Sequence, residues 1–199
     1  MPVDLADLLT AVLAHDVLEV RDLLLRAVTE RGVVTTWEGL VAPVLSGVAT
    51  ADGRQVSVAD VRVFADTVSG LLATLTVDAP IPSGRRVLLA AAPPAHPGPE
   101  FRGLAAALAR SRVNLRVAAP ASRSALAGSI SGSEPDVVAV WLDESSPDVT
   151  GLVRWLRRQR RGLRVAVGGP GLADAAVPPS VTEFSGLAEA AEKIAVLVE

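Results

Sequence analysis

The chain has 199 residues, half of them hydrophobic and 21% charged, with 19 basic against 22 acidic side chains. Such a composition belongs to a globular protein of one large or two small domains, and a formal charge of −3 offers no general positive field for nucleic acid or an anionic membrane. The absence of cysteine excludes disulfides, thiolate metal sites and cysteine nucleophiles together, and it fits a reducing cytoplasm.

No run of eighteen apolar residues occurs, and the N-terminal apolar stretch is interrupted by Asp4, Asp7, His15 and Asp16 with no basic residue ahead of it. A membrane span or a signal peptide is therefore not expected. The two histidines, His15 and His96, lie too far apart in sequence to form a local metal motif.

From Leu5 to about Thr76 the apolar residues recur at helical spacing. Leu5, Leu8, Leu9, Val12 and Leu13 form one stripe, and Val17, Val20, Leu23, Leu24 and Val28 a second. Arg31-Gly32 is expected to close the second helix with a left-handed glycine. The spacing predicts a third helix over Thr36–Val48, with Thr36 as its cap and Trp37 on the buried stripe. Asp52-Gly53 predicts a turn. Ser57 is expected to cap a fourth helix whose stripe is Val61, Phe64, Val68, Leu71, Leu72 and Leu75. Four helices with short connections make an N-terminal four-helix bundle over residues 1–79. Pro80, Pro82 and Gly84 mark a stiff linker over 80–84.

Beyond the linker, over 85–199, apolar strand-length runs alternate with helical patterns. Strands are expected at Arg86–Ala92, Asn114–Ala118, Asp136–Leu142 and Leu163–Val167, with a short one near Val181. Helices are expected at Gly103–Arg112, Ser122–Ser129, Asp148–Arg160 and Gly186–Val198. Strands that are apolar throughout imply a parallel sheet covered on both faces, in a flavodoxin-like or Rossmann-like arrangement. The fold class is α/β, a helical bundle followed by that sheet domain. Ligands in such folds bind outside the carboxyl ends of the strands, which here are the loops at 92–102, 143–146 and 168–174.

Those loops are chemically poor. The first carries His96 among four prolines, the second the adjacent carboxylates Asp143 and Glu144, and the third the pair Gly168-Gly169. No dinucleotide fingerprint, phosphate-binding loop or serine nucleophile elbow is present. The residues point away from an enzyme, and no catalytic residue is assigned.

The segments Leu40-Val-Ala-Pro-Val-Leu-Ser-Gly, Val56-Ser-Val-Ala-Asp, Pro135-Asp-Val-Val-Ala-Val and Leu163-Arg-Val-Ala-Val-Gly-Gly-Pro resemble the cobalamin-binding unit of methionine synthase and of the light-sensing cobalamin-dependent repressors of the MerR type. The resemblance spans nearly the whole chain. With no helix-turn-helix ahead of the bundle, it implies a stand-alone regulator. The resemblance also implies a set of cofactor-facing positions, and most of them are altered here. The bundle's Trp and Glu-His positions fall at Ala51, Val61 and Arg62. The histidine that ligates cobalt from the loop after the first strand falls at Glu100 when Gly103 is placed on the motif glycine, or at Gly98 when counted from Pro93-Pro94. His96 matches neither count. The Ser or Thr beside the nucleotide tail falls at Trp141. Gly168 and Gly169 persist.

An indole at position 141 fills the volume that the benzimidazole tail would claim. The expectation is therefore a cobalamin-type fold that has lost the cofactor and persists as a regulatory protein. Its partner would be a transcription regulator or signalling protein, with a homodimer through the bundle also considered. The alternative is a genuine cobalamin or other tetrapyrrole sensor with Glu100 or His96 as an atypical axial ligand. Arg154, Arg157, Arg158 and Arg161 crowd one helix and form either a solvated face or a docking patch, for which the net charge favours an acidic protein over DNA.

Overall fold

The computed structural model describes residues 3–47, 50–51, 54–93, 97–111, 113–142, 148–172 and 175–198. The chain divides into two compact units, Met1–Asp78 and Ala79–Glu199.

The first unit is helical. Helix α1 (Leu5–Leu13) starts where the Asp4 carboxylate accepts a hydrogen bond from the Asp7 amide at 2.8 Å, and α2 (Val17–Thr36) where Asp16 accepts from the Glu19 amide at 3.0 Å. Both caps satisfy amides that the helix itself leaves free. Gly32 closes the first stretch as expected: its positive φ (83°) and ψ of 169° are both non-helical and divide α2 into two helices, the second starting ahead of Thr36. The chain resumes its helix, passes through a single π turn (Trp37–Val41), and continues into α3 (Ala42–Leu45). Thr36 is consequently not a cap; it has helical backbone angles and sits inside the run. The short strands β1 (Thr50–Ala51) and β2 (Arg54–Gln55) pair antiparallel. The Asp52-Gly53 turn expected between them lies outside the described residues.

Helix α4 (Val58–Val77) closes the unit. A reciprocal box starts it: the Ser57 hydroxyl accepts from the Asp60 amide, and the Asp60 carboxylate accepts from the Ser57 amide at 2.9 Å and from its hydroxyl at 2.6 Å. The other Asp60 oxygen meets His15 Nε2 at 2.7 Å. His15 occupies a left-handed position (φ 56°) between α1 and α2, so this contact ties that turn to the start of α4. Leu8, Leu24, Leu40 and Phe64, all nearly inaccessible to solvent, fill the interior.

The second unit is a five-stranded sheet of β3 (Arg86–Ala91), β4 (Asn114–Ala118), β5 (Val137–Trp141), β6 (Arg164–Gly168) and β7 (Thr182–Phe184). All neighbours are parallel, in the order β4-β3-β5-β6-β7. That order is the flavodoxin-like one, with its switch point between β3 and β5. Helices α5 (Pro99–Arg110), α6 (Arg123–Ser133), α7 (Val149–Gln159) and α8 (Leu187–Val198) complete the unit. Leu88, Val138, Val140, Val165 and Val167 point to the face covered by α6 and α7, where Leu126, Ile130, Val153 and Leu156 meet them. The alternate residues Val87, Leu89, Val137, Ala139 and Ala166 point to the opposite face, covered by α5 and α8. Helix α5 begins four residues earlier than its apolar pattern implies, because Gly98 precedes a proline at the first helical position. Helix α6 begins at its Ser122 cap and runs to Ser133, four residues further than expected.

The His15–Asp60–Ser57 contacts hold the Asp60 carboxyl down at about 2, the Ser57 hydrogen bonds contributing most. An unfolded chain titrates its aspartates near ~3.9. Asp60 therefore stabilises the fold fully above that value, and its contribution fades as pH falls from about 4 to about 2. Asp60→Asn is expected to lower the urea midpoint at pH 7 and to flatten the loss of stability over that acid window. Equilibrium urea titrations at pH 7, 4 and 2.5 check this, and an unchanged midpoint at pH 7 would rule it out.

Candidate functional site

The carboxyl end of the sheet is organised by one row of residues in register. Ala91 pairs with Trp141, Trp141 with Gly168, and Gly168 with Phe184. Cross-strand partners in a sheet share a face, so all four stand on the side covered by α5 and α8. Small and large alternate along the row. The missing side chain at Gly168 leaves a gap in the row, and the Phe184 ring fills it. A Cβ on Gly168 would overlap the Phe184 ring. Trp141 and Phe184 approach with ring centroids 6.4 Å apart at an interplanar angle of 32°, within the range of favourable aromatic pairs.

Gly169 has a different task. Its φ of 105° is one that side chains rarely adopt. A Cβ there would overlap the Leu142 carbonyl oxygen and stand 3.1 Å from Trp141 Cδ2. The backbone of the glycine pair thus presses directly against the indole. Trp141 is 2% exposed and Phe184 1%. The pair Gly168-Gly169, which in sequence is equally compatible with a ligand approaching the backbone, serves here to admit two rings of the protein itself.

The other expected positions scatter. Glu100 lies in the first turn of α5, half-buried, and burial pushes its carboxyl up from the usual range. Gly103 is buried one turn further along the same helix, and Gly98 caps it. These three are neighbours at the head of α5. His96, Asp143 and Glu144 lie outside the described residues, as does the side chain of Ala51, whose backbone belongs to β1. Val61 is half-buried and Arg62 exposed on the first turns of α4. Among the described residues no group of three or more His, Cys, Asp or Glu side chains is placed to hold a metal ion. No described helix is long and apolar enough to cross a membrane.

The arginine cluster divides in two. Arg157 is not a free surface charge: its Nη2 donates to the Ser180 carbonyl and hydroxyl, both at 2.9 Å. It pins the turn before β7 to α7, and Thr150 assists by donating to the Ala176 carbonyl at 3.0 Å. Arg160 donates to the Pro135 carbonyl and lies 3.5 Å from Asp136. Arg154, Arg158 and Arg161 remain exposed. Arg154 and Arg158 stand one turn apart on the face of α7 away from its buried Val153 and Leu156.

The residue that sequence reasoning missed is Phe184. Its only signal is the parallel register of β7 on β6, which places it beside Gly168; the run Thr182-Glu-Phe is too short to announce a strand.

Several solved structures resemble the chain, two of them as follows. One is in the methanol:cobalamin methyltransferase complex MtaBC from Methanosarcina barkeri, at 12% identity over 96% of this chain and 78% of that one, with a TM-score of 0.44. The other is a cobalamin-binding protein from Desulfitobacterium hafniense DCB-2, at 13% identity over 98% of this chain and 95% of that one, with a TM-score of 0.45. No family model and no curated protein matches the sequence.

The row predicts a measurable coupling. Gly168→Ala is expected to destabilise the protein by about 1–3 kcal/mol through overpacking. Part of that cost should vanish in a Phe184→Ala background, which removes the ring but leaves the Phe184 carbonyl oxygen in overlap with the Cβ position. Chemical denaturation of the four proteins of this double-mutant cycle gives the coupling directly. Equal costs in both backgrounds would mean that the ring does not occupy the space above Gly168.

Proposed function

We propose that the chain is a non-enzymatic regulatory protein built on a cobalamin-type frame that no longer admits the cofactor, and that it works through contacts with an acidic protein partner. The observation that carries this reading is the buried Trp141 indole lying against Gly169 and facing Phe184. By the family resemblance, that end of the sheet is where cobalamin's nucleotide tail would enter. The residues present do not fit that group. A tail would have to displace a whole indole that is 2% exposed, and the glycine pair that would line its path already packs against protein rings. Removing a buried Trp side chain costs about 3–5 kcal/mol, so the filled state is strongly preferred.

The partner reading rests on charge. Residues 79–199 carry fourteen basic and eleven acidic side chains, whereas residues 1–78 carry five and eleven. The exposed Arg154, Arg158 and Arg161 therefore belong to the basic half of the chain. Their forked guanidinium groups suit bidentate contact with carboxylates. A transcription regulator or signalling protein with an acidic surface fits this patch.

One observation favours the alternative, a cobalamin or tetrapyrrole sensor with an atypical ligand. Glu100 is a half-buried carboxyl at the head of α5, and burial raises its pKa. A carboxylate in that state gains from a nearby cation.

Calorimetric and visible-absorbance titration with hydroxocobalamin decides between the two. The unmodified protein is expected to show no binding, and Trp141→Ser to recover some. Stoichiometric binding by the unmodified chain would overturn the proposal and leave Glu100 as the ligand to test. For the partner surface, the triple variant Arg154→Glu, Arg158→Glu, Arg161→Glu should abolish association with acidic protein partners in salt-dependent binding assays. Its thermal stability should stay within about 0.5 kcal/mol, as expected for surface positions. Arg157 is left intact because it holds Ser180. Undiminished association in the triple variant would remove α7 from the interface.

A further inference from the structure

The two edges of the sheet are finished differently. At one, β7 is three residues long, and Lys193 Nζ donates to its Glu183 carbonyl at 2.8 Å. At the other, β4 runs for five residues and pairs on one side only, with β3. No other described backbone group bonds to Asn114–Ala118. An open strand edge is a row of unmatched amides and carbonyls, and it accepts another chain unless something blunts it.

The charge around this edge has one sign. Residues 101–133, which hold most of α5 and all of β4 and α6, contain five arginines and no acidic residue. Arg102, Arg110, Arg116 and Arg123 are exposed, and none of them enters an ion pair among the described residues. Arg112 lies outside the described residues. Arg110 ends α5 just ahead of β4, Arg116 stands at the middle of the strand, and Arg123 opens α6 just after it. The charge therefore follows the length of the open edge. Arg116 pairs in register with Leu88 and Val117 with Leu89, so the two point to opposite faces. Val117 is 43% exposed, which leaves an apolar contact beside the basic one.

We propose that the outer edge of β4 takes up an extended acidic segment of another protein as a sixth strand of the sheet. Its carboxylates occupy alternate positions on the face of Arg116, and aliphatic side chains between them meet Val117. In such strand addition the main-chain hydrogen bonds supply affinity and the alternating side chains supply specificity. A second copy of this edge is a poor occupant, because it would bring arginines together across the strands. A nucleic acid would satisfy the arginines but offers β4 no matching ladder of donors and acceptors. This edge involves none of the α7 arginines, and its occupation is independent of whether cobalamin binds.

The probes are acetyl-(Val-Glu)3-amide, its counterpart acetyl-(Val-Lys)3-amide and an oligothymidylate. Amide NMR of the full chain titrated with the acidic peptide should show shifts centred on Asn114–Ala118 and slowed hydrogen exchange at alternate β4 amides. The lysine peptide should bind about tenfold more weakly, since the cross-strand charge contacts change sign. Arg116→Glu should reverse that order. Of two acidic peptides N-methylated at alternate amides, the one blocked toward β4 should lose binding and the other keep it. Absence of shifts at β4 would overturn the proposal. Binding retained by both methylated peptides would overturn it by showing charge attraction without strand pairing. Tighter binding of the oligothymidylate at the same arginines would overturn it by making the edge a nucleic-acid surface.

Discussion

The sheet unit depends on a missing side chain. At Gly168 the row across the carboxyl end of the sheet has no Cβ, and the Phe184 ring occupies the place where one would stand, with the Trp141 ring 6.4 Å away centroid to centroid. Both rings are almost wholly buried, so the interior at this end is closed by protein. Gly169 then turns the chain at a φ that a side chain would resist, with its backbone against the indole. In a doubly wound fold this edge is the usual ligand crevice. Here the same geometry has been put to packing, because interiors tolerate few voids larger than a water molecule.

The helical unit shows the opposite arrangement, with a glycine that leaves something unfinished. Gly32 breaks the helical run with φ and ψ that are both non-helical. The kink removes the acceptor for Thr36, and the π turn follows at once. Arg31 Nε, next to the same glycine, is likewise buried without a partner among the described residues, whereas the start of α4 is well matched. Asp60 accepts hydrogen bonds from Ser57 and contacts His15, which anchors α4 to the turn between α1 and α2. The engaged carboxylate lies at the start of α4, and the unmatched groups of Arg31 and Thr36 flank the break at Gly32.

Much of this architecture was legible in the residues. The switch from helical to strand-like periodicity near residue 80 located both halves, and the apolar runs at β3, β5 and β6 gave the parallel sheet. The burial of Trp141 was also readable, from its place in an apolar strand-length run. Other features were hidden for physical reasons. Gly32 reads as a helix end and does break the run there; what stayed hidden is that the next helix starts before Thr36, whose backbone is already helical although the residue type looks like a cap. Phe184 sits on a three-residue strand whose register is fixed by β6 and not by its own sequence. Arg157 looks like its neighbours in a basic run, yet its reach to Ser180 depends on a chain return 23 residues later.

The contact between Trp141 and Phe184 is the centre of this account, and NOE spectroscopy reads it directly. The account predicts strong cross-peaks between the Trp141 indole and Phe184 ring protons that persist unshifted in excess hydroxocobalamin. Loss of those cross-peaks on adding the cofactor, with the indole resonances displaced, would show that the rings yield to a tail, and it would contradict the claim that this end of the sheet is closed.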